Sequence, residues 1–453
     1  MDSVASDNDG ILAGSAGQGG QDQRTKDGKG ESNVSRLIIQ GSRPLKGRVR
    51  ISGAKNSVLP IIAASLLADG RCVIEEVPYL NDVKIMCELV NSLGASTEFS
   101  EDWTRLEISC RSLLNTMAPY ELVNRMRASF LVAGPLLARC GHVKISLPGG
   151  CAIGSRPVDL HLKGFAALGG SITQGHGYIE ISSNGRLKGN KVYLDFPSVG
   201  ATENTMMAAV LAEGNTIIEN AAIEPEIVDL ATYLTSMGAD IKGAGTDTIR
   251  INGVKELHPA NHTIIPDRIE AGTFMVAAAI TGGDITIDNV VPDHLKPVTA
   301  KLREAGVEIS EELTSVRVKG SSISPVDIKT HPYPGFPTDM QSQITSLLSV
   351  AKGTSVVIET IFENRFMHVC ELKRMGANIK VEGRSAIIEG CERLTGTKVK
   401  ATDLRAGAAL ILAGLCAEGT TEILDIEHVD RGYYRIDDKL RNLGAVISRA
   451  EGE

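Results

Sequence analysis

Val58-Leu59-Pro60-Ile61-Ile62-Ala63-Ala64-Ser65-Leu66-Leu67 is an apolar run at helical spacing that stops at Ala68-Asp69-Gly70, and five more runs end in the same kind of turn. These later turns are Arg139-Cys140-Gly141, Ala212-Glu213-Gly214, Thr281-Gly282-Gly283, Ala351-Lys352-Gly353 and Ala417-Glu418-Gly419. A second run follows each, ending near Gly94, Gly169, Gly238, Gly306, Gly376 or Gly444. The Gly-to-Gly spacings are 24, 28, 24, 23, 23 and 25 residues. A self-similar unit of about 70 residues, written six times over residues 34–453, decides the architecture before any motif is read.

The first copy shows the grammar of the unit. Arg48-Val49-Arg50-Ile51 alternates like a strand, and Gly70 suits the residue after a helix. Cys72-Val73-Ile74 is a short apolar strand. Asn81-Asp82 offers a cap for a helix from Val83 to Leu93. Thr97-Glu98-Phe99 and Leu106-Glu107-Ile108 form a hairpin. The unit is therefore βαβαββ, an α/β module. Its first helix is nearly all apolar, as in Ala406 to Leu415 and Met206 to Leu211, and belongs at the centre. The second is amphipathic, as in Asp437 to Arg441, and belongs outside. Six units divide into two globules of three with a cleft between them, the crossing lying near His262-Thr263-Ile264-Ile265-Pro266.

Aromatic residues make up 4% of the 453-residue chain against 47 glycines, so Ala, Leu, Ile and Val build the core. The net charge of −8 argues against a nucleic-acid coat. Eight cysteines show no CxxC spacing, and neither HExxH nor a P-loop is present, which predicts a reducing cytoplasm and no metal. Residues 1–33 are rich in Gly, Ser, Asp and Gln without an apolar segment, and read as a disordered tail. No apolar run reaches the ~18 residues that span a membrane.

Basic residues break the repeat at equivalent places. Where the second helix begins, copies one, three and four carry Asp82, Glu226 and Asp293, which suit the positive end of a helix dipole. Copies two, five and six carry Arg156, Arg365 and Arg431 instead. At the start of the first helix stand Lys55, Arg127 and Arg405, Arg268 after Asp267, and Asp339 in copy five. Any one of these arginines could be a surface ion pair. Together, at helix N-termini, they point to an anion site. Leu147-Pro148-Gly149-Gly150-Cys151-Ala152-Ile153-Gly154-Ser155-Arg156-Pro157 is too Gly-rich for regular structure, so Cys151 rides a mobile loop. Arg156 nearby would lower the thiol pKa and make it an acid or nucleophile, the alternative being an inert cysteine. Asp339, in Gly335-Phe336-Pro337-Thr338-Asp339-Met340-Gln341, serves either as a plain N-cap or, across a cleft from Lys55 and Asn56, as general base for an alcohol.

At this point the motifs converge on a family. Ser52-Gly53-Ala54-Lys55-Asn56, Met126-Arg127-Ala128-Ser129, Pro148-Gly149-Gly150-Cys151, Arg156-Pro157-Val158-Asp159-Leu160-His161, Phe336 to Gln341, Glu363-Asn364-Arg365-Phe366-Met367-His368, Thr402-Asp403-Leu404-Arg405 and Asp430-Arg431-Gly432-Tyr433 run in order. Over essentially all of 34–453 the chain resembles the UDP-N-acetylglucosamine 1-carboxyvinyltransferases of the enolpyruvyl transferase family. The resemblance implies two inside-out α/β lobes of three repeats each, about 55–264 and about 34–54 with 265–453. It also implies transfer of the enolpyruvyl group of phosphoenolpyruvate to the 3′-hydroxyl of UDP-N-acetylglucosamine with release of phosphate, the first committed step of peptidoglycan synthesis, in a bacterial cytoplasm and without a cofactor.

Site roles follow from the resemblance. Lys55, Arg156 and Arg431, with Arg405 nearby, would hold the phosphate of phosphoenolpyruvate. Asn56 and Asp339 would hold the sugar, Asp339 taking the 3′-hydroxyl proton. Arg127, Arg156, Pro157, Val158, Asp159, Leu160 and the segment Phe196-Pro197-Ser198-Val199 would hold the uridine diphosphate, and Ile361 would lie against the nucleotide sugar. Arg365 and Asp403 complete the substrate-binding set. Cys151 would protonate the methylene carbon and be alkylated by fosfomycin; some relatives carry Asp there. Others carry Lys where this chain has Phe196. Lys55, Asn56, Arg127, Cys151 and Arg156 fall in one lobe, and Asp339, Ile361, Arg365, Arg405 and Arg431 in the other. Like charges facing across the gap would hold the free enzyme open until a polyanion bridges it. Three rivals remain: 5-enolpyruvylshikimate-3-phosphate synthase, which the Cys loop and Gly-Ala-Lys-Asn oppose; a six-repeat DNA clamp, which needs a basic inner surface; and an inactive UDP-sugar sensor, which would lose Cys151 or Asp339.

Overall fold

A computed structural model describes residues 35–147, 153–154, 157–175 and 177–450. Six four-stranded sheets share one strand order. In the second unit Met117–Ala118 lies parallel to His142–Ser146, which is followed outward by antiparallel Tyr178–Ser182 and Ser171–Gln174. With its helices this is the βαβαββ unit read from the sequence. The third and fifth units are also contiguous in the chain; the other three are completed from elsewhere.

Arg48-Val49-Arg50 does not open the first unit. The strand Lys46–Arg50 pairs parallel with Asp284–Asp288 and supplies the fourth sheet's edge. Asn261–Thr263 returns to lie parallel to Gly70–Glu75 in the first sheet. The N-terminal strand Arg36–Gln40 fits between Thr420–Leu424 and Val446–Ala450. Alternation identifies a strand but not its partner, because the period-2 pattern is the same whichever sheet receives it. Buried apolar side chains accordingly form two cores. One runs from Ala54 to Ile264, and the other combines Leu37–Ile51 with Ile269–Ile447.

The first helix of each unit lies inside. Arg268–Ile280 is buried from Ile269 onward, Gln341–Leu348 throughout, and Leu404–Cys416 from Arg405 to Leu415. In the first lobe Lys55–Ala64, Ala133–Cys140 and Val199–Ala209 play the same part. Small residues permit the close approach: a Cβ on Gly134 would meet the Asn204 carbonyl at 2.6 Å. Two of these helices depart from the all-apolar expectation. Val199–Ala209 buries Thr202, Glu203, Asn204 and Thr205, and Gln341–Leu348 buries two glutamines and two serines. Some of these polar groups tie neighbouring elements together. Asn204 accepts from Gly134 N–H at 2.9 Å and donates to the Phe130 carbonyl at 3.0 Å. Ser346 donates to the Ala409 carbonyl at 2.8 Å.

The chain crosses between the lobes twice, and the crossings lie side by side. Ala54 N–H donates to Ile265 O at 2.8 Å, Asp267 N–H to Ser52 O at 2.9 Å, and Gly53 bridges Pro266. Both crossings feed directly into the N-termini of core helices, so Lys55 and Arg268 emerge at the cleft. Among the described residues no helix is long and apolar enough to cross a membrane.

Candidate active site

Two carboxylates organise the cleft, and each holds two cations. Asp82 lies 2.6 Å from Lys55 Nζ and 2.8 Å from Arg431 Nε. Asp339 accepts from Arg365 Nη2 at 2.9 Å on one oxygen and from Arg405 Nη2 at 2.7 Å on the other. Asn56 Nδ2 reaches Asp339 at 3.5 Å. Lys55, Asn56 and Asp82 belong to the segment of the first core, Asp339, Arg365, Arg405 and Arg431 to the second. Arg268 makes a third link, bidentate to Glu226 at 3.0 and 3.2 Å.

These pairs revise the charge argument. From sequence, Asp82 and Glu226 are helix-dipole carboxylates, and the cleft is a place where cations repel. Asp82 instead neutralises cations from both sides, and Glu226 does so for Arg268. Nor does Asp82 or Asn81 cap the helix Asn81–Ser92; its N-cap is Leu80, without a side-chain bond. No signal local to residue 82 could reveal an arginine 349 positions away.

Burial pushes the Lys55 ammonium pKa down; Asp82 opposes this, while Arg431 and Arg405 reinforce it. Burial alone would raise the Asp82 carboxyl, but Lys55 and Arg431 outweigh it and hold it below its ordinary value. Burial also works against the Arg405 charge, yet Asp339, helped by Asp267, more than offsets it. Tyr433 OH gathers Arg405 Nη1 at 3.3 Å, Thr273 Oγ1 at 3.0 Å and Gln343 Nε2 at 3.2 Å. Burial raises the phenol pKa, so it stays neutral.

Backbone geometry fixes the positions of these groups. Asp267 caps Arg268–Ile280 through Ile269 and Glu270 N–H, and its other oxygen accepts Lys55 N–H at 3.2 Å. Asp403 caps Leu404–Cys416 through Arg405 and Ala406 N–H at 2.9 and 3.1 Å. Its observed role is thus to orient Arg405's turn. Asp339 stands in the 3₁₀ turn Thr338–Met340 before the helix Gln341–Leu348 and is the N-cap of neither, those positions being Pro337 and Met340. Buried Glu359 braces that turn, accepting from Thr338 Oγ1 at 2.9 Å and from Ile361 N–H at 2.8 Å.

Asp159–Ala167 and Val199–Ala209 begin close together, so that a Cβ on Gly200 would meet His161 Cε1 at 3.1 Å. His161 Nδ1 is 2.9 Å from Asn204 Nδ2, and burial with Arg127's charge holds the imidazole pKa at about 3. Ser198 caps the second helix through Ala201 N–H at 3.3 Å. Pro157 and Phe196 are exposed, Val158 is buried, and Leu160 and Pro197 are half-buried. Cys151 and Arg156 lie outside the described residues. Between them, Ile153 O accepts Asn364 N–H at 3.0 Å, and a Cβ on Gly154 would come within 2.2 Å of the Glu363 carboxylate. The end of the Cys loop therefore rests on the segment that carries Arg365.

Six βαβαββ units in two lobes, with charged groups gathered where the lobes meet, define an enolpyruvyl transferase. The EPSP synthase (3-phosphoshikimate 1-carboxyvinyltransferase) family matches residues 39–440. The enolpyruvyl transferase NikO from Streptomyces tendae superposes with a TM-score of 0.84 at 26% identity, over 93% of this chain and 100% of that one. UDP-N-acetylglucosamine 1-carboxyvinyltransferase 1 of Caldanaerobacter subterraneus subsp. tengcongensis is 65% identical over 92% of this chain and 99% of its own. UDP-N-acetylglucosamine 1-carboxyvinyltransferase 2 of Carboxydothermus hydrogenoformans is 61% identical over 92% and 99%. The chain belongs to the UDP-N-acetylglucosamine 1-carboxyvinyltransferase family.

Proposed function

We propose that this protein transfers the enolpyruvyl group of phosphoenolpyruvate to the 3′-hydroxyl of UDP-N-acetylglucosamine and releases phosphate. The observation that carries the reading is the double clamp: Lys55 and Arg431 on Asp82, beside Arg365 and Arg405 on Asp339, with Asn56 between. It offers cations for a phosphate and a carboxylate positioned for a hydroxyl. The family membership supplies the two substrates.

The reaction is an addition followed by an elimination. Asp339 takes the proton of the 3′-hydroxyl as its oxygen bonds to C2 of phosphoenolpyruvate, while Cys151 delivers a proton to the methylene carbon. Loss of a proton from that carbon then re-forms the double bond and expels phosphate. Lys55, Arg156 and Arg431 hold the phosphate, with Arg405 beside them; each such fixed donor is worth roughly 10²–10³ in rate. Ion pairs supply the electrostatic stabilisation. Arg127, the turn Arg156 to Leu160 and the segment Phe196 to Val199 take the uridine diphosphate at two helix N-termini. Ile361 lies against the sugar. The lobes 55–264 and 34–54 with 265–453 shut over the substrates and keep water from the intermediate. We also read the protein as cytoplasmic, as a supplier of cell-wall precursor needed for cell shape and division, as a target of fosfomycin at Cys151, and as binding neither nucleic acid nor membrane.

Phosphate release measured with phosphoenolpyruvate and each of two acceptors tests the reading. UDP-N-acetylglucosamine should support turnover and shikimate 3-phosphate should not. The reverse pattern would assign the protein to the shikimate branch.

A further inference from the structure

His368 opens the helix His368–Arg374 and is fully enclosed, yet neither Nδ1 nor Nε2 has a hydrogen-bond partner among the described residues. Burial and the Arg365 charge, opposed by Asp403 and by the Arg365 carbonyl, which faces the ring without meeting hydrogen-bond geometry, hold its pKa at about 4, so the ring is uncharged at neutral pH. Two enclosed ring nitrogens with no partner of any kind would destabilise a fold, whereas an apolar ring of the same shape would not. Packing alone therefore gives no reason for histidine here.

The surroundings supply one. Arg365 Nε, Thr402 Oγ1 and Gln341 Nε2 are also enclosed and unpartnered. All four residues lie within three positions of Asp339, Arg365 or Arg405. The two charged groups acting on the ring are Arg365, which grips one oxygen of Asp339, and Asp403, which caps the turn bearing the Arg405 that grips the other. His368 thus feels one charged group from each arm of the clamp. Buried polar groups of this kind are satisfied by shared ordered water when the site is polar.

We propose that His368 is a positioning residue: its ring nitrogens, through water shared with Arg365 and Thr402, hold Arg365 and the Asp403-capped turn in register with the two oxygens of Asp339. This rests on Asp339 being the base of the proposed transfer.

The test compares His368→Phe with His368→Gln in the full chain, measuring melting temperature and the kinetics of phosphate release. His368→Phe should fold and melt close to the parent temperature, because it keeps an aromatic ring in the same enclosed space. Its kcat should nevertheless fall about 10–100-fold, the scale of a displaced catalytic group. KM for phosphoenolpyruvate should stay within about twofold, since Lys55 and Arg431 are untouched. His368→Gln should recover at least about threefold of the lost kcat by restoring hydrogen-bonding capacity. A His368→Phe protein with parental kcat overturns the proposal, as does a His368→Gln protein no faster than His368→Phe. If His368→Phe does not fold, His368→Leu takes its place in both comparisons. An inactive parent would overturn the proposed function instead, so the two failures are distinguishable.

Discussion

Replacing Asp82 with Asn removes one anion from beneath two cations. Its side chain is 2% exposed and that of Lys55 11%, whereas Arg431 is 37% exposed. The enclosed Lys55 contact therefore dominates, and the Arg431 contact is discounted for solvent screening. Breaking a buried pair by deleting one partner costs about 3–5 kcal/mol. With an unfolding entropy of ~2.1 cal/mol/K per residue, a chain this long loses about 1 °C per kcal/mol, so Tm should fall ~3–5 °C. Phosphate seeks the same two cations, and in the variant no carboxylate competes for them. Inorganic phosphate or phosphoenolpyruvate should therefore raise the Tm of the variant more than that of the parent; a ligand at 100 times its Kd adds about 2.7 kcal/mol.

The pH dependence has a definite sign. The Asp82 pKa is depressed on folding, so its contribution is complete above the unfolded value of about 3.9 and is lost as pH falls through the folded value. The Lys55 pKa is lowered, so stability rises with pH between its folded value and about 10.4. Without Asp82 that rise should begin at lower pH. The deficit of the variant should thus be present at pH 5 and narrow toward alkaline pH. Scanning fluorimetry with and without phosphate reads every one of these effects. An equal ligand-induced shift in both proteins would refute the idea that Asp82 and phosphate compete for the same cations.

Asp339→Asn should lower kcat by about 10²–10⁴-fold while calorimetry still detects UDP-N-acetylglucosamine binding; near-parental phosphate release would remove Asp339 from the base role. Glu203, buried beside Glu226 and Glu224, has its carboxyl pKa driven well above the ordinary range by enclosure first and its neighbours second. A raised acid favours the fold at low pH and loses that advantage as pH climbs toward the folded value. Glu203→Gln should therefore match the parent near pH 4 and exceed its Tm at pH 8; a variant less stable at pH 8 contradicts the shift. Fosfomycin should label the Cys151 peptide first in mass spectrometry, since burial pushes Cys87 and Cys416 up to about 12 and leaves them unreactive. Label spread evenly over several thiols would count against Cys151.

The repeat was readable because its punctuation is a backbone requirement. Gly94, Gly169, Gly238, Gly306, Gly376 and Gly444 all take positive φ, from 91° to 112°, where other residues are strained. The apolar runs were readable because the central helices have almost no solvent face. What escaped is what depends on distance in the chain. Asp82 and Glu226 obey the helix-dipole rule so well that nothing at those positions hints at Arg431 or Arg268. Asp403 is legible as part of the substrate-binding set, but its capping of Leu404–Cys416 is not. His368 was visible only as one letter of a motif, because an unpartnered nitrogen is a property of surroundings that sequence spacing does not encode.

Arg36–Gln40 leaves the ribosome long before its two neighbours, Thr420–Leu424 and Val446–Ala450. At about 5–20 residues per second that is a wait of roughly 20–80 s. Throughout it, Leu37 and Ile39, both fully covered at the end, sit on a strand with two bare edges. Lys46–Arg50 waits in the same way for Asp284–Asp288. Arg36, Arg43, Lys46, Arg48 and Arg50 punctuate this nascent stretch with like charge, the device that keeps unpaired strands of neighbouring chains apart. Side chains that the finished enzyme displays as ordinary surface thus also suit a strand that must wait for its partners.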